Sequence, residues 1–435
     1  MVIASIDIQN NKVVQLRQGA ERALERDDPL ELAAEFDRYG EVAVIDLDAA
    51  MGAPVSNSGL IKAILRKAEC RVGGGIRTPE QAQAWVGLGA RKIILGSGAF
   101  RDPAKKGAGA AGGEFQVNAP LLEAVAKRIG RERLVIAVDA RKGEILVDGW
   151  KTPTGLGLIE TAKAVEPFAA ELLFTCVERE GMLGGIDLEP VRELRRAVSC
   201  SLTVAGGVST LEEIAGLAAL GCNVQLGMAL YTGAVGLADA FVQSLAWEKG
   251  GGGKGPALLP LIVQSPDGQV LMTGFTGAEA LRETFKRGKV CFHSRGRNKL
   301  WMKGETSGNT LRLIRLRADC DRDALLATAE PAGPVCHTGA WSCFNVERSY
   351  TWQFLQAVIA GRLRSPVPGS YTAALDDELV REKIREEAEE LCLAENSGQV
   401  IGEAADLLYF ATVLMTREGV TVEAVLEELD RRHKK

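Results

Sequence analysis

Across residues 1–247, short β-branched runs alternate with stretches whose apolar positions recur at helical spacing. That alternation predicts βα units around a parallel sheet. The pattern also repeats at a fixed offset. SIDIQ (5–9) matches AVDAR (137–141), VGGGIRTPEQ (72–81) matches VAGGVSTLEE (204–213), and LGARKIILGSGAF (88–100) matches LGCNVQLGMAL (220–230) with a one-residue slip. Two similar halves of about four βα units predict a (β/α)8 TIM barrel of the usual ~250 residues. A doubly wound sheet is the competing architecture, but it does not normally show this halving.

The pattern then changes twice. EKGGGGKGP (248–256) reads as a flexible Gly-rich linker, and LLPLIVQSPDGQVLM begins a strand-and-turn pattern, predicting a small α+β metal-binding domain over 256–345. Beyond Phe344 the chain reads almost wholly as helix, predicting an all-α domain over 350–432. KKGAGAAGGEF (105–115) reads as a loop insertion within the barrel.

Within the barrel, glycine marks the expected strand ends at Gly74-Gly75, Gly96-Ser97, Gly206-Gly207 and Gly227-Met228. Amides freed at such strand-to-helix turns bind phosphate, although glycine there often only shapes a loop. Two symmetric copies point to an elongated, bisphosphorylated substrate. The three histidines are His293, His337 and His433, so the barrel has none and must move protons with carboxylates, Cys, Lys or Tyr. Asp7 and Asp139 end the first strand of each half and are expected to face each other across the mouth; Asp46 and Thr175 hold roughly equivalent places on the next strands. An Asp there is either catalytic or a salt-bridged structural acid.

With VIDLDAAMGAPVSN, VGGGIRT and VDGW, residues 1–245 resemble the histidine-pathway isomerase that performs an Amadori rearrangement on a bisphosphorylated aminoimidazole carboxamide ribotide. The resemblance implies Asp7 as base, Asp139 as acid and Thr175 as an orienting hydroxyl. The family's TDxSRDGT here reads TCVEREGM, so Cys176 and Glu180 replace aspartates and Met182 a threonine; QGD reads QGA, losing an acid at Ala20. Glu180 reaches one methylene further than Asp and still can transfer a proton, but misplacement of about 1 Å costs ~100-fold. The barrel is then active, slow, or retained as a scaffold.

The densest chemistry lies at 319–343: DCDRD, CHTG and SCF. In an extended segment Asp319, Asp321 and Asp323 point one way and converge on a hard cation such as Mg²⁺. Cys320 points the other way, where with Cys336 and Cys343 it supplies three thiolates for Zn²⁺, leaving a fourth position for water. A single Cys is usually a small buried hydrophobe, and a lone DxD a solvated turn; the whole set at this spacing is neither. Together with FHSRGRNKLWMKGETSGNT (292–310), these motifs make residues 258–344 resemble phosphoribosyl-AMP cyclohydrolase. The resemblance implies zinc on Cys320, Cys336 and Cys343 and magnesium on Asp319, Asp321 and Asp323. Zinc lowers the pKa of bound water to about 7, giving hydroxide to open the adenine ring. Arg295, Arg297, Lys303 and GETSGN suit a ligand phosphate. Gly296 stands where the family usually has serine, which removes a hydroxyl but no metal ligand.

KIREEAEEL (383–391) and EAAD (403–406) form an EExxE…ExxD pattern. On helices Glu386, Glu387 and Glu390 share a face, as do Glu403 and Asp406. An EExxE run alone is usually a solvated face, but the second pair sits amid VIGEAADLLYFATVL, at the expected edge of a buried stripe. Acids there need cations, which Mg²⁺ on a diphosphate supplies. With SYT (370–372), Lys383 and DLLYF (406–410), residues 350–432 resemble phosphoribosyl-ATP pyrophosphohydrolase and its all-α superfamily. That resemblance implies magnesium on Glu386, Glu387, Glu390, Glu403 and Asp406.

Composition narrows the setting. A net charge of −5 over 435 residues gives no bulk attraction to nucleic acid or anionic membrane. No run is apolar enough to span a bilayer, and nine scattered cysteines argue for a reducing compartment. The expectation is a cytoplasmic enzyme acting on phosphoribosyl nucleotides derived from ATP, at least a homodimer through its C-terminal domains. Three successive histidine-biosynthesis steps are implied: diphosphate release, ring opening and isomerisation. One rival makes the barrel a non-catalytic scaffold; another makes the helical domain a general nucleotide-pool cleaner.

Overall fold

The computed structural model describes residues 1–100, 115–251, 256–348, 350–364 and 369–433. The insertion expected at 105–115 lies, but for its last residue, outside the described residues, as does the 252–255 centre of the Gly-rich linker.

Eight parallel strands form the barrel: β1 Val2–Gln9, β2 Val42–Asp46, β3 Cys70–Gly73, β4 Lys92–Leu95, β5 Leu134–Ala137, β6 Glu171–Thr175, β7 Ser201–Ala205 and β8 Asn223–Leu226. They pair in that order, and β1 closes on β8 through Val2↔Val224, Ile3↔Gln225 and Ala4↔Leu226. Strands covered on both faces read as continuous apolar runs rather than alternating ones; β5 (LVIA) and the Leu-Leu-Phe of β6 are buried throughout. Ile94, Val135, Ala137, Leu173 and Ala205 form one core cluster, with Ile45 packed against it.

The predicted halving appears in the turns. Thr78 caps the helix Pro79–Gly87 reciprocally with Gln81, and 132 residues later Thr210 caps Leu211–Ala219 with Glu213. Gly74 (φ +102°) and Gly206 (φ +94°) are equivalent in the same sense. A Cβ on either would lie 2.1 Å from the Asp46 carbonyl oxygen or 2.5 Å from that of Cys176, so both positions require glycine.

A charge cluster occupies the N-terminal strand ends, the barrel floor. Arg71, with no solvent exposure, pairs with Glu171 (2.5 Å) and with Glu41; Lys92 reaches Glu171 at 2.7 Å, and the Thr203 hydroxyl donates to it at 2.5 Å. Burial alone would raise the Glu171 pKa, but Arg71 and Lys92 outweigh it and bring it down to about 2.

The chain divides into two compact units, residues 1–263 with 273–333 and residues 264–272 with 334–435. Residues 273–333 therefore share a unit with the barrel, and the contacts explain why. Phe285, on the helix Ala278–Arg287, stacks on Tyr39 at 4.3 Å and meets Phe241 edge-on at 5.4 Å. Arg315, on the strand Leu311–Ala318, grips both carboxylate oxygens of Asp37 and pairs with Glu69. That strand pairs antiparallel with Leu325–Pro331, and Cys291–Ser294 forms a hairpin with Lys299–Met302. The second unit carries helices Trp352–Arg364, Tyr371–Ala374, Asp377–Leu393, Ser397–Arg417 and Val422–His433 around Ile359, Leu375, Val380, Phe410 and Val413. Among the described residues no helix is long and apolar enough to cross a membrane.

Candidate active sites

At the C-terminal ends of the barrel strands one pocket gathers Asp7, Asp139, Thr175 and Glu180 with all the predicted glycine turns: Gly74, Gly75, Gly96, Ser97, Gly206, Gly207, Gly227 and Met228. Asp7 accepts a hydrogen bond from the Ser5 hydroxyl (2.7 Å). Asp139 accepts one from Trp150 Nε1 (2.9 Å) and one from Thr175. Glu180 follows the short 3-10 turn Val177–Arg179, and its carbonyl accepts from the Gln18 amide at 3.0 Å, tying its loop to the turn between the antiparallel strands Lys12–Arg17 and Glu21–Arg26.

The electrostatics separate the three acids. Their setting in the pocket wall disfavours charge on all of them. Asp7 is raised to about 6 by burial, partly offset by Ser5. Burial also raises Asp139, and the Thr175 and Trp150 hydrogen bonds limit the rise. Glu180 is raised furthest, to about 8, by burial and then by the charges of Asp7 and Asp139. Burial and mutual repulsion thus press all three carboxyls toward their protonated forms, Glu180 most, so that one pocket can hold both a base and an acid.

One open alternative is resolved here, and one residue is added. Asp46 serves structure: its carboxylate caps the turn Leu47–Met51 through the Ala49 amide (3.0 Å) and accepts from the buried Asn57 (2.7 Å), which also bonds Asp48. Trp150, by contrast, belongs to the site. The VDGW string hinted at it, but its link to Asp139 depends on positive φ at Asp148, Gly149 and Trp150 that periodicity does not reveal.

The acidic triad converges, though not along an extended strand. Residues 319–324 turn between two strands: Asp319 Oδ1 accepts from the amides of Asp323 (3.0 Å) and Ala324 (3.1 Å), and Arg322 is left-handed at φ +63°. The turn brings one carboxylate oxygen each of Asp319, Asp321 and Asp323 within 4.8 Å of one another. Lys249 Nζ stands against two of them, 2.6 Å from Asp321 and 3.4 Å from Asp323. A donor set of hard oxygens already holding a cationic group fits a divalent ion.

Cys320 is exposed at this turn, in the first unit. Cys336 and Cys343 belong to the second. There the Cys336 thiol is lowered, chiefly by the Thr338 hydroxyl 3.1 Å from its sulfur and less by a hydrogen bond with Cys343, which favours the thiolate a metal requires. Of the predicted phosphate ligands, Arg295 lies over the Phe275 ring at 3.8 Å, Lys303 is buried and Arg297 is exposed.

In the second unit, Glu387, Glu403 and Asp406 bring carboxylate oxygens within 4.8 Å of one another. Glu387 is buried, and its pKa is raised by loss of hydration, then by Asp406 and Glu390; the exposed Glu390 is raised by partial loss of hydration and by Glu403. Glu386 departs from this trio in pairing with Lys383 (2.6 Å). The expected buried stripe is also narrower: Phe410, Thr412 and Val413 are buried, whereas Ile401 is 70% and Val400 44% exposed.

Known proteins match along the whole chain. The family model described as histidine biosynthesis protein matches residues 1–236, that of phosphoribosyl-AMP cyclohydrolase residues 272–345, and that of phosphoribosyl-ATP pyrophosphohydrolase residues 353–433. The histidine biosynthesis bifunctional protein HisIE of Xanthomonas campestris is 42% identical over 44% of this chain and 95% of its own length. The Escherichia coli protein of that name is 40% identical over 44% and 96%, and that of Pyrococcus furiosus 37% over 45% and 99%. The chain therefore belongs to the histidine biosynthesis protein family, with cyclohydrolase and pyrophosphohydrolase domains following its barrel.

Proposed function

We propose that the chain is a trifunctional enzyme that releases diphosphate from phosphoribosyl-ATP, opens the adenine ring of phosphoribosyl-AMP, and isomerises the resulting ribotide in its barrel. The gathering of Asp7, Asp139 and Glu180 in a pocket ringed by two symmetric sets of glycine turns carries the isomerase reading, and the unequal rise of their carboxyls supports it. Asp7 removes the proton that migrates during the rearrangement. Asp139, held by Trp150 and Thr175 and itself raised by burial, protonates the opening ribose ring, and the raised carboxyl of Glu180 limits the negative charge that opposes substrate. The paired turns fix the two phosphates of an elongated substrate across the mouth.

In the cyclohydrolase domain, Asp319, Asp321 and Asp323 would hold Mg²⁺, and Cys336 and Cys343 would be among the ligands of a Zn²⁺ that would activate water at neutral pH. In the helical domain, Glu387, Glu403 and Asp406, with Glu390 beside them, would hold the Mg²⁺ that neutralises the departing diphosphate. The raised carboxyls of Glu387 and Glu390 support this, since a cation relieves their mutual repulsion. Exposed Leu393 and Ile401 on these helices support self-association.

The test is the end product made from phosphoribosyl-ATP by the intact chain and by Asp7→Asn. The intact chain should yield the isomerised ribotide; the variant should stop one step earlier while binding the bisphosphorylated substrate as well as the parent. An intact chain that binds this substrate without converting it makes the barrel a scaffold.

A further inference from the structure

The acidic turn is fastened to the barrel. The Ala246 amide donates to the Arg322 carbonyl at 2.9 Å, and Arg322, nearly buried, donates from Nη1 to the Cys222 carbonyl at 3.2 Å. Ala246 leads into the short 3-10 turn Trp247–Lys249, by which the chain leaves the barrel. That turn delivers Lys249 onto the acids. Its Nζ has three oxygens around it: Asp321 Oδ2 at 2.6 Å, the Asp321 carbonyl at 3.3 Å and Asp323 Oδ2 at 3.4 Å.

An ammonium there neutralises the charge that a divalent cation would neutralise, and both cannot share one small set of carboxylates. The lysine is well placed to yield. It is 42% exposed, its carboxylate partners stand at the protein surface, and a strongly hydrated ammonium on a flexible stem returns to water readily. Its backbone is nevertheless held by Ala246 and Arg322, so withdrawal moves the side chain and leaves the turn in place.

We propose that Lys249 is a tethered counter-cation of the acidic turn: it holds Asp321 and Asp323 together in the metal-free chain and must withdraw when a divalent cation binds. The barrel's exit turn thereby sets the metal affinity of the neighbouring domain. This rests on the reading of Asp319, Asp321 and Asp323 as a magnesium site. Displacing one unit charge at about 4 Å in a water-like medium corresponds to roughly a fivefold change in affinity.

The test uses the full chain carrying Glu387→Gln and Asp406→Asn to silence the helical acid cluster. Mn²⁺ is titrated as the probe, and the free ion is counted by electron paramagnetic resonance. Adding Lys249→Met should tighten Mn²⁺ binding about fivefold, whereas Lys249→Arg, which keeps the charge, should leave it near the parent value. Unchanged or weaker binding in Lys249→Met overturns the proposal, as does equal tightening in Lys249→Arg. Adding Asp321→Asn instead reports on the underlying reading. If it removes no Mn²⁺ binding from the parent, the magnesium site itself is wrong and the proposal falls with it; if it removes binding while Lys249→Met changes nothing, only the role of Lys249 fails.

Discussion

Replacing Glu180 with glutamine should make the barrel more stable as pH rises. The carboxyl titrates near 8 in the folded chain against an ordinary 4.5, because the pocket wall, Asp7 and Asp139 all oppose its charge. A folded pKa above the unfolded one means that the native state holds a proton the unfolded chain has already lost. Stability from this group is therefore complete below about pH 4.5 and drains away up to about pH 8. At about 1.36 kcal/mol per pH unit, the 2.5 units between pH 4.5 and 7 amount to roughly 3 kcal/mol. This is an upper figure, since Glu180 keeps some contact with water in the mouth. Glutamine has nearly the same shape and no charge, so the variant escapes the loss. Urea melts of parent and variant at pH 5 and pH 8 test this through the difference between the two pH values, which cancels any fixed cost of burying the amide. A stability gap that does not widen toward pH 8 would refute a protonated Glu180. On the isomerase reading proposed above, the same ionisations should give a bell-shaped profile, rising through about 6 as Asp7 deprotonates and falling through about 8 as Glu180 does, and the variant should lose the falling limb.

Further expectations follow from the other charged groups and from the cysteines. Arg71→Met should destabilise the first unit by about 3–5 kcal/mol in denaturant melts, because it leaves Glu171 buried with weaker compensation. In the parent, the depressed Glu171 pKa contributes stability present above about pH 4.5 and lost as pH falls toward 2, a slope the variant should largely lack. Glu387→Gln should stop diphosphate release while sparing ring opening of supplied phosphoribosyl-AMP, and undiminished release at low Mg²⁺ would count against it. Cys336→Ser should remove about one zinc per chain, measured by elemental analysis, together with ring opening, leaving diphosphate release intact.

The barrel was legible because its information is local and doubled. The 132-residue repeat carries the glycine turns, and the same spacing recurs in the Thr78 and Thr210 caps. The acidic turn was legible in its residues but not in its path. Asp-Cys-Asp-Arg-Asp reads as a strand by alternation, yet a left-handed Arg322 bonded to Cys222, 100 residues earlier, folds it into a turn. Contacts made by single long-range pairs left no periodic trace at all. Arg315 on Asp37 and Phe285 on Tyr39 join residues about 250 or more positions apart, and neither partner stands out from its neighbours in sequence. Conversely, the apolar string around Glu403 overstated burial, since hydrophobicity marks a surface that wants covering without saying whether its own chain covers it.

The charged floor of the barrel has a consequence for traffic. The acidic turn hangs from Cys222 and Ala246 at the N-terminal ends of the strands, whereas Asp7, Asp139 and Glu180 open at the other end. Between them lie Ile94, Val135 and Leu173 and then the interlocked Arg71, Glu171 and Lys92. Packed apolar side chains and an ion-pair layer thus close the barrel interior between the pocket at its mouth and the acidic turn at its floor. On the reading proposed above, the two sites would share one chain but no interior passage through the barrel.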